Sequence, residues 1–142
     1  MARIDFYILK QAGQQSRQSF ACRLAEKAYR LDNTVHIHAS SQSDAQRLDE
    51  LLWTFRDGSF VPHHLVAKSG ADVDSPVTIG FDSSLAEPRD LLINLGDDIP
   101  SCAEAFPRVA ELVTSDEECK LLSRKRFAEY RDQGHTLETH NV

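Results

Sequence analysis

The chain has 142 residues, 41% of them hydrophobic and 27% charged, with a formal net charge of −6. That length fits one domain and suffices for a core without metal or disulfide staples. The acidic balance argues against broad nucleic-acid binding, which needs a basic surface to neutralise phosphates, but leaves room for a local basic patch.

In chain order, Ile4 to Lys10 is aromatic and β-branched and reads as a buried strand. A polar turn with Gly13 follows. Ser16 is the expected N-cap of a helix over Ser19 to Arg30, with Phe20, Ala21, Leu24, Ala28 and Leu31 at helical spacing and Asp32-Asn33 as its stop. Thr34 to Ala39 reads as a second strand. Ser43 or Asp44 is expected to cap a second helix carrying Leu48, Leu51 and Leu52 and ending near Trp53 or Phe55. This βαβα order predicts a parallel sheet with helices across its faces.

Residues 56 to 76 contain Gly58, Pro62, Gly70 and Pro76 and read as a long loop or short irregular strands. Val77 to Phe81 is a third strand, and an acidic turn leads to Leu91–Leu95, the most strand-like run. Ser101 to Phe106 is a candidate short helix, and Arg108 to Thr114 a further strand. Ser115-Asp116-Glu117-Glu118 opens a last helix that runs to about Gln133 and stops at Gly134. The expected organisation is one α/β domain over residues 1–134, with residues 135–142 as a frayed tail.

Two features carry functional weight. The only Trp, Trp53, is followed by Phe60-Val61-Pro62 in a loop. A large apolar cluster at a loop is candidate binding surface, although a lone Trp at a helix end also suits a core. The second is Lys120, Arg124, Phe127 and Arg131, spaced four, three and four. At about 100° per residue they share roughly a 60° arc of one helix face. A cation stripe with an aromatic in it suits an acidic ligand that also carries an apolar side chain. The competing reading is a solvated helix end whose bases favour the macrodipole.

Other chemistry is weak. Cys22, Cys102 and Cys119 are far apart and form no CxxC pair, so neither a disulfide framework nor a zinc site is indicated. The first strand–helix turn has one glycine and no phosphate-binding pattern. His36 and His38 share a strand face with no third ligand at metal spacing, and satisfied strand histidines are expected. His63 is expected to pin its loop. No cofactor, metal or catalytic set is expected. The N-terminus is not a signal peptide, and no apolar run approaches the ~20 residues of a membrane helix, so a cytosolic protein is expected.

With these residues in hand, the chain resembles the chi subunit family of bacterial DNA polymerase III. The likeness rests on Ile4-Asp5-Phe6-Tyr7-Ile8-Leu9, on Arg47-Leu48-Asp49-Glu50-Leu51-Leu52-Trp53 with Ser59-Phe60-Val61-Pro62-His63, on Asp90 to Leu95, and on Arg124 to Arg131 with Gly134. It implies a single-domain, Rossmann-like, three-layer fold with a mostly parallel sheet and no catalysis of its own. It implies the small psi subunit of the clamp loader as one partner, at Trp53, Phe60, Val61 and Pro62. It implies the acidic, Pro-Phe-ending tail of single-stranded DNA-binding protein as the other, at Lys120, Arg124 and Phe127, with Val113 and Arg131 beside them. DNA would be reached only through that protein, and an accessory helicase is a further candidate for the Trp53–Phe60 surface. Two positions depart from relatives: Phe127 stands where a Tyr can occur, and Ala128 where a Lys can. The rival class is a small nucleotide-binding protein or enzyme using the sheet's C-terminal edge.

Overall fold

The computed structural model describes residues 2–58, 60–66, 75–83 and 86–142. Within them the chain runs β1 (Arg3–Ile8), α1 (Gln14–Arg30), β2 (Val35–His38), α2 (Gln42–Thr54), β3 (His63–Leu65), β4 (Val77–Gly80), β5 (Leu91–Asn94), a 3-10 turn (Ser101–Ala105), β6 (Arg108–Val113), α3 (Glu117–Asp132) and β7 (Thr136–Asn141). The strands form one seven-stranded sheet in the order β3-β4-β2-β5-β6-β1-β7, and every pairing is parallel. The expected Rossmann-like α/β sheet is therefore present. Of the long loop expected over 56 to 76, Ser59 and residues 67–74 lie outside the described residues.

The period-two pattern explains why the sheet needs cover on both faces. Ile37, Ile79, Ile93 and Leu112 join Ala21, Ala25, Leu48 and Leu52 in the core beneath α1 and α2. Ile4, Phe6, Leu92, Val109 and Val113 join Phe106 and Tyr130 in a second core beneath α3. The crossovers through α1 and α2 step toward β3 on one face. The crossover through α3 steps back toward β7 on the other, as right-handed parallel connections require.

Helix starts differ from expectation by a few residues. Gly13, at φ 96°, precedes α1, and its amide donates to the Asp116 carboxylate. Ser16 lies inside the first turn, where its hydroxyl donates to the Ala12 carbonyl at 3.1 Å. Ser41 rather than Ser43 or Asp44 caps α2, accepting from the Asp44 amide. Asp116 caps α3.

The expected frayed end at 135–142 is corrected by β7, which pairs with β1 in register from Arg3↔Thr136 to Ile8↔Asn141. Polar composition hid it, because an edge strand needs few apolar side chains. What holds it is specific. His140 lies 2.9 Å from the Asp5 carboxylate and stacks on Tyr7 at 5.0 Å, and Leu137 packs on the second core. Asp5 also accepts from Arg3 and Arg108, so one buried carboxylate ties β1, β6 and β7 together. Burial raises its pKa, but His140 and the two arginines outweigh that and hold it below the usual range.

On the α3 face of β2, His36 is buried with Nδ1 2.7 Å from the Thr78 hydroxyl. Among the described residues its Nε2 and the Nδ1 of His38 find no hydrogen-bond partner, so these rings are less satisfied than expected. Burial, with the charges of His38 and Arg89, pushes the His36 pKa from 6.5 down to about 3. The unfolded chain therefore binds a proton that the folded chain refuses. Stability should fall as pH drops through the window from 6.5 to about 3. The slope should be at most about 1.4 kcal/mol per pH unit from this residue. Urea unfolding across that window should show a shallower slope in His36→Gln than in the parent, and an unchanged slope would place the titration elsewhere.

Candidate functional site

The apolar site is built by the last turn of α2 and the loop behind it. Leu48 and Leu52 face the core, so Trp53, one residue on, is turned outward. Its ring is 51% exposed, and Phe60 is 64% exposed. The two rings lie 5.4 Å apart, and Trp53 lies 4.5 Å from the His63 ring. His63 pins the loop as expected: Nδ1 is 2.6 Å from the Val61 carbonyl and Nε2 is 2.9 Å from the Asp49 carbonyl on α2. Two large rings are thus presented on a braced support, which lowers the ordering cost of a contact.

Val61 does not belong to that surface. It is 1% exposed and packs into the core beneath α1 and α2. In an extended segment neighbours face opposite ways, so placing Phe60 outside puts Val61 inside. Val61 holds the loop down, and Pro62 is half-buried beside it.

The cationic site is one flank of α3. Phe127 packs against Phe6 at 5.2 Å and is half-buried. Arg124 is exposed, Lys120 is half-exposed, and neither pairs with an acid among the described residues. Arg131 lies 3.7 Å from Asp132, with both groups exposed, a pairing worth about 0–1 kcal/mol. The four predicted side chains do share one flank, on the side of the helix nearer β1 and β7. Val113 is the exception to a surface role: at 4% exposed it is part of the core beneath α3 and supports the flank from below.

Sequence reasoning missed two sets of residues. One anchors the helix. Glu111 is fully buried on β6 and accepts from Arg126 at 3.0 Å, Tyr130 at 2.7 Å and Asn94 at 2.9 Å. Arg126 is thus an internal brace rather than part of the cation stripe. The signal was legible in part: one acid in an apolar strand, with Arg126 and Tyr130 four apart on the next helix. The other set is the floor beside Phe127. Thr139 pairs in register with Phe6 and Asn141 with Ile8, so their side chains share that face of the sheet, and both are exposed.

The C-terminal edge of the sheet, where the rival nucleotide reading would sit, keeps a cavity of about 240 Å³ lined in part by Arg17, Asp97, Thr114 and Asp116. Arg17 is buried and donates to the carbonyls of Leu112, Leu95 and Gly96 at 3.0, 3.0 and 3.4 Å. The Asp116 carboxylate takes the Gly13 amide at the first strand–helix turn. Among the described residues no group of three or more His, Cys, Asp or Glu is placed to hold a metal ion. Among them, too, no helix is long and apolar enough to cross a membrane.

Comparison with known proteins adds to this geometry. The model of the family described as DNA polymerase III chi subunit, HolC, matches residues 1–138. A Pseudomonas aeruginosa protein named DNA polymerase III subunit chi is 39% identical over 142 residues, covering 100% of this chain and 98% of its own. Proteins of the same name from Haemophilus influenzae and Escherichia coli are each 33% identical, covering 97% and 98% of this chain and 96% and 97% of their own. Among solved structures, the fold resembles part of an S. cerevisiae complex of dbp5 with nup159, gle1, IP6 and ADP. That match has a TM-score of 0.59 at 11% identity and spans 97% of this chain but 41% of the other, a likeness of fold alone.

Proposed function

This chain belongs to the DNA polymerase III chi subunit family, an accessory subunit of the replicative polymerase, and we propose that it works there as a non-catalytic bridge between two proteins. The Trp53–Phe60 surface receives the psi subunit and so joins the clamp loader. The α3 flank receives the acidic, Phe-ended tail of single-stranded DNA-binding protein. The observation that supports this best is the pairing of an exposed, braced aromatic cluster on one face of the sheet with Lys120 and Arg124, which pair with no acid among the described residues, beside a half-buried Phe on the other. The acidic net charge disfavours direct contact with DNA and suits a protein that reaches it through a partner.

The chemistry divides between the surfaces. Desolvated aromatic anchors make long-lived contacts, whereas exposed cations steer an acidic segment quickly and lose strength in salt. With Ala128 in place of a cation, the terminal Phe of the tail supplies most of the affinity and Arg124 fixes its carboxylate. Arg124→Ala should therefore weaken a synthetic tail peptide about tenfold, the loss of one charge-assisted contact, and leave psi binding unchanged. Isothermal calorimetry with the peptide checks this, and equal affinity for parent and variant would remove Arg124 from the site.

A further inference from the structure

The α3 flank lies beside an open strand edge. β7 is last in the sheet order, with β1 on one side and, among the described residues, no strand on the other. The ladder fixes which of its backbone groups are used. The Thr136 amide donates to the Ala2 carbonyl and the Val142 amide to the Ile8 carbonyl, so even-numbered residues point their N–H and C=O groups at β1. Leu137, Thr139 and Asn141 then point theirs outward, into the space beside the sheet. Their side chains lie on the α3 face, opposite Ile4, Phe6 and Ile8. A row of donors and acceptors that no described strand takes up thus runs alongside Phe127 and the cations of α3.

We propose that the acidic tail binds by adding as an eighth strand on the outer edge of β7, with alternate side chains falling under α3. The inference rests on the α3 flank being the tail's site, and it specifies how the peptide is held there. The occupant is chosen by charge. The flank carries Lys120, Arg124 and Arg131 on a chain of net charge −6, so an acidic segment is attracted where a copy of this chain is repelled. Main-chain bonds to Leu137, Thr139 and Asn141 give affinity without demanding particular side chains. Arg124 and Phe127 select for acid and ring at every second position.

Edge addition is distinguished from docking in a pocket by the peptide backbone. Methylating each peptide N–H in turn, apart from the penultimate Pro, leaves the protein untouched. With calorimetry on the full chain, alternate N-methyl peptides should lose about tenfold in affinity and the intervening ones little, the period-two signature of a strand. Thr139→Pro removes an outward donor and sets a ring on the edge while keeping every bond to β1. It should weaken the peptide by a similar factor, with an unchanged melting profile as the check on folding. Losses confined to the terminal Phe, together with full binding to Thr139→Pro, would overturn edge addition and leave the α3 site standing. No binding to the parent chain would overturn both. A dimer that Thr139→Pro dissolves, without effect on the peptide, would give the edge to a second copy and so reject the tail.

Discussion

Glu111→Ala should destabilise the protein by about 3–5 kcal/mol, the usual result of stranding a buried charge. Glu111 is fully buried and is the acceptor shared by Arg126, Tyr130 and Asn94. Without it, among the described residues, the Arg126 guanidinium keeps only the Asp97 carbonyl and the Ser123 hydroxyl, and the Tyr130 hydroxyl loses the carboxylate it donates to. Against a total stability of about 5–15 kcal/mol for a domain, that loss brings the variant close to unfolding. α3 is docked through these groups, so the cation stripe should lose its fixed orientation before the rest of the sheet opens. Burial and the neighbouring Glu111 carboxylate already push the Tyr130 hydroxyl pKa up, so that group stays a neutral donor. Chemical denaturation of Glu111→Ala, Arg126→Ala and the double variant separates the terms. The double variant should be more stable than the sum of the two singles implies, because it buries no orphan charge. Strict additivity would mean that the two side chains do not act as a pair.

The second large effect concerns binding. Trp53→Ala should weaken psi about 30-fold or more, the scale of a truncated aromatic hot spot. Folding should change far less, because half of the ring is already exposed. The loss should exceed that of Phe60→Ala. Trp53 contacts both Phe60 and His63, so its removal also loosens the loop that presents Phe60. Phe60→Ala removes one contact and leaves the His63 brace in place. Calorimetric titration of psi into each variant tests the ranking. Parent-like affinity in both would place the psi contact elsewhere, and the tail peptide should bind both variants normally.

How far the sequence carried depends on what kind of signal each element leaves. The strands at Leu91 and Arg108 and the helices over Leu48 and Arg124 were legible because burial imposes a period on the residues themselves. The α3 stripe was legible for the same reason, since four-three-four spacing is a statement about one helix face. Val61 and Val113 were misplaced because a run of adjacent apolar residues does not say which of them faces in. Ile8, Val109 and Leu112 settle that question for the strand at Val113 only once the sheet is assembled. β7 left almost no apolar trace. Its order comes from Asp5 and Tyr7, at the opposite end of the chain, meeting His140. The Arg126–Glu111 pair joins residues on separate elements, and a charge read alone counts as surface. Arg17 likewise passes for an exposed base until three strand-end carbonyls surround it.

The position of β1 between β6 and β7 has a kinetic consequence. The opening strand finds its first neighbour at Arg108 and its second at Thr136, so it spends most of synthesis with two bare edges. Loop closure over such a span is slow, and the chain should cross its rate-limiting barrier only after β7 has emerged from the ribosome.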